Sequence, residues 1–294
     1  MEKSCLATPP EFSFELCLQF LKRSPREILH VIEEETVIKL LKVQGQPVLF
    51  RVSEQGNGLQ ITFLNGKTST KVIEEVAQYV TEWFDLTTDL KPFYKMAKED
   101  SLLKDLAKKY YGYRIIGQPD LFESLIWAVL GQQINLQFAY TLKQRFVEQF
   151  GESLEVKDKK YFLFPLAEQV AEMKPEQLLD LQFSKQKANY TIGIAKAFTA
   201  GVMSKDKLNG LSLLQAKEEL IKIKGIGNWT ANYALMKTFR YPDAFPLEDA
   251  GVHNAIKKLK SMKSKPTLDQ VKRIFKKYKG WEAYATLYLW KSLS

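Results

Sequence analysis

Two glycines one residue apart, set between an apolar run and a helix-competent one, restrict this chain more than any other feature. Ile221-Lys222-Ile223-Lys224 leads into Gly225-Ile226-Gly227, and Asn228 to Thr238 leads away. Glycine takes positive φ freely and lets another backbone come close. The spacing therefore predicts a tight corner between two helices. The exit helix would direct its first free N–H groups outward, a geometry suited to a phosphate oxygen. Asp249 follows Trp229 by twenty positions, which suggests chemistry near the corner.

Charge bears on the partner. The chain carries 43 basic and 34 acidic residues, a net charge of +9. That balance favours polyanions through counterion release, although a solvated lysine-rich surface satisfies the same numbers. Much of the basicity lies between Lys257 and Lys279. Cys5 and Cys17 are the two cysteines, too few for a disulfide framework or a four-cysteine metal or iron–sulfur site. No apolar run approaches the roughly 18 residues of a bilayer span, and Met1-Glu2-Lys3-Ser4-Cys5 lacks a signal-peptide core. The expectation is a soluble, cytoplasmic protein of a reducing compartment, with no membrane partner.

The 294 residues, 45% hydrophobic and 12% aromatic, allow one large or two ordinary domains with a substantial core. Phe12 to Leu18 alternates in the manner of a strand, as do Thr36 to Val43, Val48 to Val52 and Leu59 to Phe63. Turns are expected at Gly45-Gln46-Pro47 and Gly56-Asn57-Gly58, and a helix over Thr70 to Trp83. From about Thr88 the pattern is helical almost throughout. Amphipathic Asp120 to Gly131, with Asp120 as N-cap, is followed by Ile134 to Phe150, Pro175 to Asp180, Ser184 to Met203 and Leu213 to Ile221. Beyond the corner, Val252 to Leu259, Thr267 to Lys277 and Trp281 to Leu293 are also predicted helical. The predicted class is α+β: a small N-terminal antiparallel sheet with a helix over residues 1–88, then a two-lobed all-α body over 89–294.

The corner, the later aspartate, and the closing run Gly280-Trp281-Glu282-Ala283-Tyr284-Ala285-Thr286-Leu287-Tyr288-Leu289-Trp290 resemble the helix-hairpin-helix DNA glycosylase superfamily. The similarity is greatest to its bacterial alkylation-repair branch, 3-methyladenine DNA glycosylase II, and extends over essentially the whole chain. The resemblance implies phosphate contacts by the hairpin Lys224, Gly225, Ile226 and Gly227. It also implies a sodium or potassium ion on the carbonyls of Ile221, Ile223 and Ile226, and no cofactor for the chemistry. Lys224 departs from the proline usual there and could itself reach a phosphate, at the cost of a less rigid turn.

Asp249 is an N-cap by type, and the resemblance makes it the catalytic carboxylate. Beside C1′ it would stabilise the positive charge that develops on deoxyribose, or direct a water onto it. Glu248 and Asp243 are the competing carboxylates. Trp229, Tyr233 and Trp290 match positions lining the base pocket, where electron-rich rings would favour a cationic alkylated base by about 0.5–2 kcal/mol per contact. Core packing is the ordinary role for Trp281 and Tyr284. Ala250 stands where the family carries an aromatic, which opens one side of the pocket. Gln133, with Ile134 beside it, matches the wedge that fills the gap left by a flipped nucleotide.

Bifunctional members carry a Schiff-base lysine two residues after the second hairpin glycine; here that residue is Trp229. The implied enzyme is a monofunctional hydrolase acting as a monomer on double-stranded DNA with alkylated bases, associated with the nucleoid. A non-catalytic hairpin DNA binder and an oxidised-base glycosylase of the same fold are the alternatives.

Overall fold

The computed structural model describes residues 2–66 and 68–293; the outer bounds predicted for the two domains, residues 1 and 294, lie outside the described residues. Strands β1 (Lys3–Ala7), β2 (His30–Glu33), β3 (Thr36–Val43), β4 (Gln46–Gln55) and β5 (Gly58–Phe63) form one antiparallel sheet in the order β1-β5-β4-β3-β2. Val37 pairs with Val52 and Val52 with Ile61, so one apolar row crosses the sheet. Helices α1 (Phe14–Leu21) and α2 (Thr70–Trp83) complete its apolar core.

Helix α1 overturns the strand expected over Phe12 to Leu18. Ser13 accepts the N–H of Leu16 through its hydroxyl, and Phe14, Cys17, Leu18 and Leu21 are buried. That spacing is helical, and the N-cap decides what the shorter alternation left open. β1 and β2 give no strand signal in the sequence because neither has a clear buried face.

The remaining elements are mostly helical. They run α3 (Lys91–Lys98), α4 (Lys104–Lys109), α5 (Leu121–Gly131), α6 (Leu136–Phe150), β6 (Ser153–Val156), β7 (Lys159–Phe162), α7 (Ala167–Ala171), α8 (Pro175–Leu179) and α9 (Lys185–Thr199). After them come α10 (Lys205–Leu208), α11 (Leu213–Ile221), α12 (Asn228–Ala234), a π-helical turn (Leu235–Phe239), α13 (Ala250–Leu259), α14 (Leu268–Phe275) and α15 (Glu282–Lys291). Helices α5 to α9 pack on one another and on α12, which α11 joins; α3, α4, α13 and α15 pack as a second group, and α14 meets the core through its buried Val271 and Phe275. The two ends of the helical region thus meet in one layer. Apolar cores change hands between Phe84, in the sheet unit, and Leu90, in the helical body.

Two details differ from expectation. α5 is not amphipathic: from Leu121 to Leu130 every residue but Glu123 is buried. The hairpin β6–β7 interrupts the helices, turning on Lys157 and Asp158, both at positive φ. Its Tyr161 packs on Ile38, Leu40 and Leu49, so the body supplies a lid for the outer face of the sheet.

An ion pair closes the seam between the two units. Lys143 on α6 lies 2.8 Å from Glu27 and 3.6 Å from Glu123, all with side chains at most 12% exposed. Burial works to raise the Glu27 carboxyl, but Lys143, His30 and the Leu29 N–H together outweigh it and hold the group at about 2. A depressed carboxylate stabilises the fold above its unfolded value near 4.3 and loses that contribution as pH falls towards 2. Glu27→Gln is therefore expected to lower Tm at neutral pH and to flatten its decline below about pH 4. Parallel Tm–pH curves for the two proteins would contradict this. Among the described residues, no helix is long and apolar enough to cross a membrane.

Candidate active site and nucleic-acid interface

The corner forms as its glycines require, but the two do different work. Gly225 has φ +100, and a Cβ there would lie 2.7 Å from both Cδ atoms of Tyr190. Gly227 has an ordinary extended φ of −94 and is exposed, and a Cβ on it would meet nothing within 4 Å. The first glycine builds the turn; the second leaves open the approach to its outer surface. Ile223 and Ile226 are buried beneath, while Lys224 is exposed. Helix α12 starts at Gly227 without a capping side chain, unlike α11, which has a Ser212–Gln215 capping box. Its first N–H groups are left for an external acceptor. The Ile223 carbonyl accepts the Ile226 N–H at 3.1 Å. With the carbonyls of Ile221 and Ile226 it offers neutral oxygens, the ligand type that a monovalent cation takes.

Asp249 caps α13, its Oδ1 accepting the N–H of Val252 at 2.9 Å. Two indoles also donate to it: Trp290 to Oδ1 at 2.7 Å, and Trp229 to Oδ2 at 3.1 Å. Three N–H donors thus orient one half-buried carboxylate. Trp290 can come this close because Gly251 has no side chain; a Cβ there would lie 2.8 Å from the indole Cδ1 and 2.9 Å from Asp249 Oδ1. Glu248 and Asp243 are both exposed.

Behind this pair lies an aromatic wall. Tyr233 stacks on Trp229 at 5.3 Å between centroids and stands 6.3 Å from Trp290. Its hydroxyl accepts the Trp127 N–H at 2.9 Å, and burial pushes that phenol up. Trp127 packs on Tyr140, which accepts a hydrogen bond from Nε of Arg23, just beyond α1. A cavity of about 50 Å³ at the seam includes Arg23, Tyr140 and Tyr233 in its lining. Tyr284 is fully buried, with its hydroxyl on Asp85, and Trp281 is half-buried against Phe93; both belong to the core.

The loop between α5 and α6 carries Gln133, exposed and at φ +58, and Ile134, half-buried beside Trp127 and Trp229. Lys187 fastens it from below. Its Nζ donates to the carbonyls of Val129, Leu130 and Gln132 at 2.7–2.9 Å, and desolvation lowers that amine to about 8. Gln132 ties the loop to the corner, donating to the Gly225 carbonyl at 3.1 Å and to Thr230 Oγ1 at 2.9 Å. Sequence reasoning does not single out Lys187, Gln132, Trp127, Tyr140, Arg23 or Gly251. A lone lysine or glutamine in a helical stretch has no local mark of such a role.

Gly251→Ala is expected to displace the Trp290 indole from Asp249. The rate of the chemistry at Asp249 should fall on the order of 100-fold, the size expected when a reacting group is misplaced by about 1 Å, with Tm changed little. Unchanged single-turnover rates would show that the indole bond does not matter.

Comparison with known proteins matches residues 126–280 to the family described as HhH-GPD superfamily base excision DNA repair protein. Residues 15–125 match the 8-oxoguanine DNA glycosylase N-terminal domain. The DNA-3-methyladenine glycosylase of Bacillus subtilis is 45% identical over 98% of this chain and 96% of its own. The solved 3-methyladenine DNA-glycosylase of Archaeoglobus fulgidus superposes with a TM-score of 0.83 at 24% identity, covering 98% of this chain and 97% of that one. An 8-oxoguanine glycosylase/lyase of Clostridium acetobutylicum, solved with double-stranded DNA, gives 0.77 at 21% identity over 98% and 95%. Those two likenesses establish shared fold.

Proposed function

The chain belongs to the HhH-GPD superfamily of base excision DNA repair proteins, and on that premise we propose that it is a monofunctional DNA glycosylase for alkylated purines such as 3-methyladenine and 7-methylguanine. One observation carries the reading: a single oriented carboxylate, Asp249, lies between two indoles that donate to it.

The chemistry follows from the lone pairs. Oδ1 already accepts two N–H groups, whereas Oδ2 accepts one, so Oδ2 keeps capacity for a water or for the developing charge at C1′. An alkylated, cationic purine leaves as a neutral molecule once its glycosidic bond breaks, and needs no acid to protonate it. A site with one carboxylate and an aromatic wall suits such a leaving group. Trp229 and Trp290 would face the flipped base, with Tyr233 behind them. Gln133 and Ile134 would fill the vacated stack, and Lys224, Gly225, Ile226 and Gly227 would hold the flanking phosphate. A sodium or potassium ion on Ile221, Ile223 and Ile226 would add positive charge at that phosphate. All these groups come from one chain, which supports a monomer acting on duplex DNA at the nucleoid.

The N-terminal match to 8-oxoguanine glycosylases favours an oxidised-base reading as the second choice. Trp229 stands against its lyase form, because an indole cannot form a Schiff base with the sugar.

Methylated duplex DNA should release 3-methyladenine and 7-methylguanine, leave intact abasic strands, and give no covalent adduct on borohydride reduction. A trapped adduct would overturn monofunctionality. Binding without release would favour a non-catalytic DNA binder.

A further inference from the structure

Residues 257–279 hold ten basic side chains and one acidic one. Their excess of nine equals the whole net charge of +9, so the rest of the chain is balanced. The proposed site does not account for this concentration. Lys257, Lys258 and Lys260 lie at the end of α13 opposite Asp249; Lys263 and Lys265 follow in the next loop; Lys272, Arg273, Lys276, Lys277 and Lys279 lie on α14 and just beyond it.

The surface is built rather than loose. Lys277 pairs with Asp100, which also accepts the Tyr278 hydroxyl at 2.7 Å. Lys258 donates to the Ser292 carbonyl at 2.8 Å, and Lys272 lies 4.0 Å from Asp269. Lys260, Lys263, Lys265, Lys276 and Lys279 are exposed, and among the described residues no carboxylate pairs with them. Five exposed ammonium groups in this stretch thus stand without a counter-charge among the described residues.

Position sets what they face. Trp229 enters the pocket from the hairpin group of helices, and Asp249 and Trp290 enter it from the group containing α13 and α15. Helix α13 is about 15 Å long, so the basic surface starts about 15 Å from the carboxylate, an offset of at most some four base pairs of a duplex rising about 3.4 Å per pair. We propose that this surface is a second DNA-backbone contact, holding the duplex flank on the side of the lesion away from the hairpin. The proposal rests on the reading of the chain as an enzyme of duplex DNA. A hold on each side of the flipped nucleotide would let the protein bend the duplex about the pocket.

The test combines Lys260→Gln, Lys263→Gln, Lys265→Gln, Lys276→Gln and Lys279→Gln in one full-length variant, with lysine to arginine at the same positions as control. Affinity for an undamaged duplex of about 30 base pairs is measured against KCl concentration. The slope of log affinity against log salt should shrink by about 0.9 for each phosphate that is no longer neutralised, roughly 3 to 4.5 for three to five phosphates. The arginine form should keep the wild-type slope. Duplexes with 7-methylguanine near one end or the other then report the flank: the glutamine form should need more enzyme for half-maximal single-turnover rate on one of them, with the maximal rate unchanged. An unchanged slope would overturn the proposal and leave the surface to solvent or an acidic protein. Equal effects on both flanks, or the same reduction in the arginine form, would also overturn it. If the wild-type protein binds with the expected slope yet releases no base, the enzymatic reading fails and this one survives.

Discussion

Asp249→Asn is expected to reduce base release by three orders of magnitude or more, about 4 kcal/mol of transition-state stabilisation, while affinity for methylated DNA stays the same or rises. The substitution keeps the size of the side chain and one oxygen. That oxygen can still accept the Val252 N–H that caps α13 and the Trp290 indole, both of which point at Oδ1. The new amide would meet the Trp229 N–H, which now donates to Oδ2, donor against donor. What disappears is the negative charge beside the proposed C1′ position and the free acceptor that would receive a water. Removing a charge near phosphates also relieves repulsion, hence the retained or tighter binding. Single-turnover release from methylated duplex, beside a binding titration and a Tm, separates these effects. Release within tenfold of the native rate would sink the assignment of Asp249; parallel loss of binding would point to a damaged fold.

The paired glycines should both matter for DNA binding but differ in their effect on stability. Gly225→Ala forces an L-residue to φ +100 and drives its Cβ into the Tyr190 ring, with a cost of about 2–4 kcal/mol and collapse of the corner that holds the hairpin. Gly227→Ala meets no protein atom and needs no special φ. Its stability should change by about 1 kcal/mol at most, yet its methyl group projects where the phosphate would lie. DNA affinity should therefore fall at least 10-fold for Gly227→Ala with Tm nearly native, and for Gly225→Ala with Tm clearly lowered. Native DNA affinity in Gly227→Ala would mean that the phosphate does not approach there.

Much was legible because it depended on neighbours in the chain. Helix α2 begins and ends where periodicity placed it, at Thr70 and Trp83. Asp120 and Asp249 cap α5 and α13 as their residue type predicts. Local rules failed where two were satisfied at once. Phe12 to Leu18 alternates like a strand and also spaces its apolar residues like a helix, and only the Ser13 cap chooses between them. The β6–β7 hairpin was hidden by Lys159 and Lys160, which are exposed along a short strand that buries Tyr161 alone.

By itself the sequence determined the corner at Gly225-Ile226-Gly227 and the presence of an indole at position 229, because each depends on residue type at short spacing; the family it carried through a resemblance that the match over residues 126–280 bears out. Only the tertiary structure decided that Trp229 and Trp290, sixty-one positions apart, donate to opposite oxygens of one carboxylate. It likewise decided that Lys187 fastens the loop between α5 and α6 from below, and that Gln132 joins that loop to the corner. Such contacts join residues distant in the chain, and their geometry is set by the packing of whole helices rather than by any local preference.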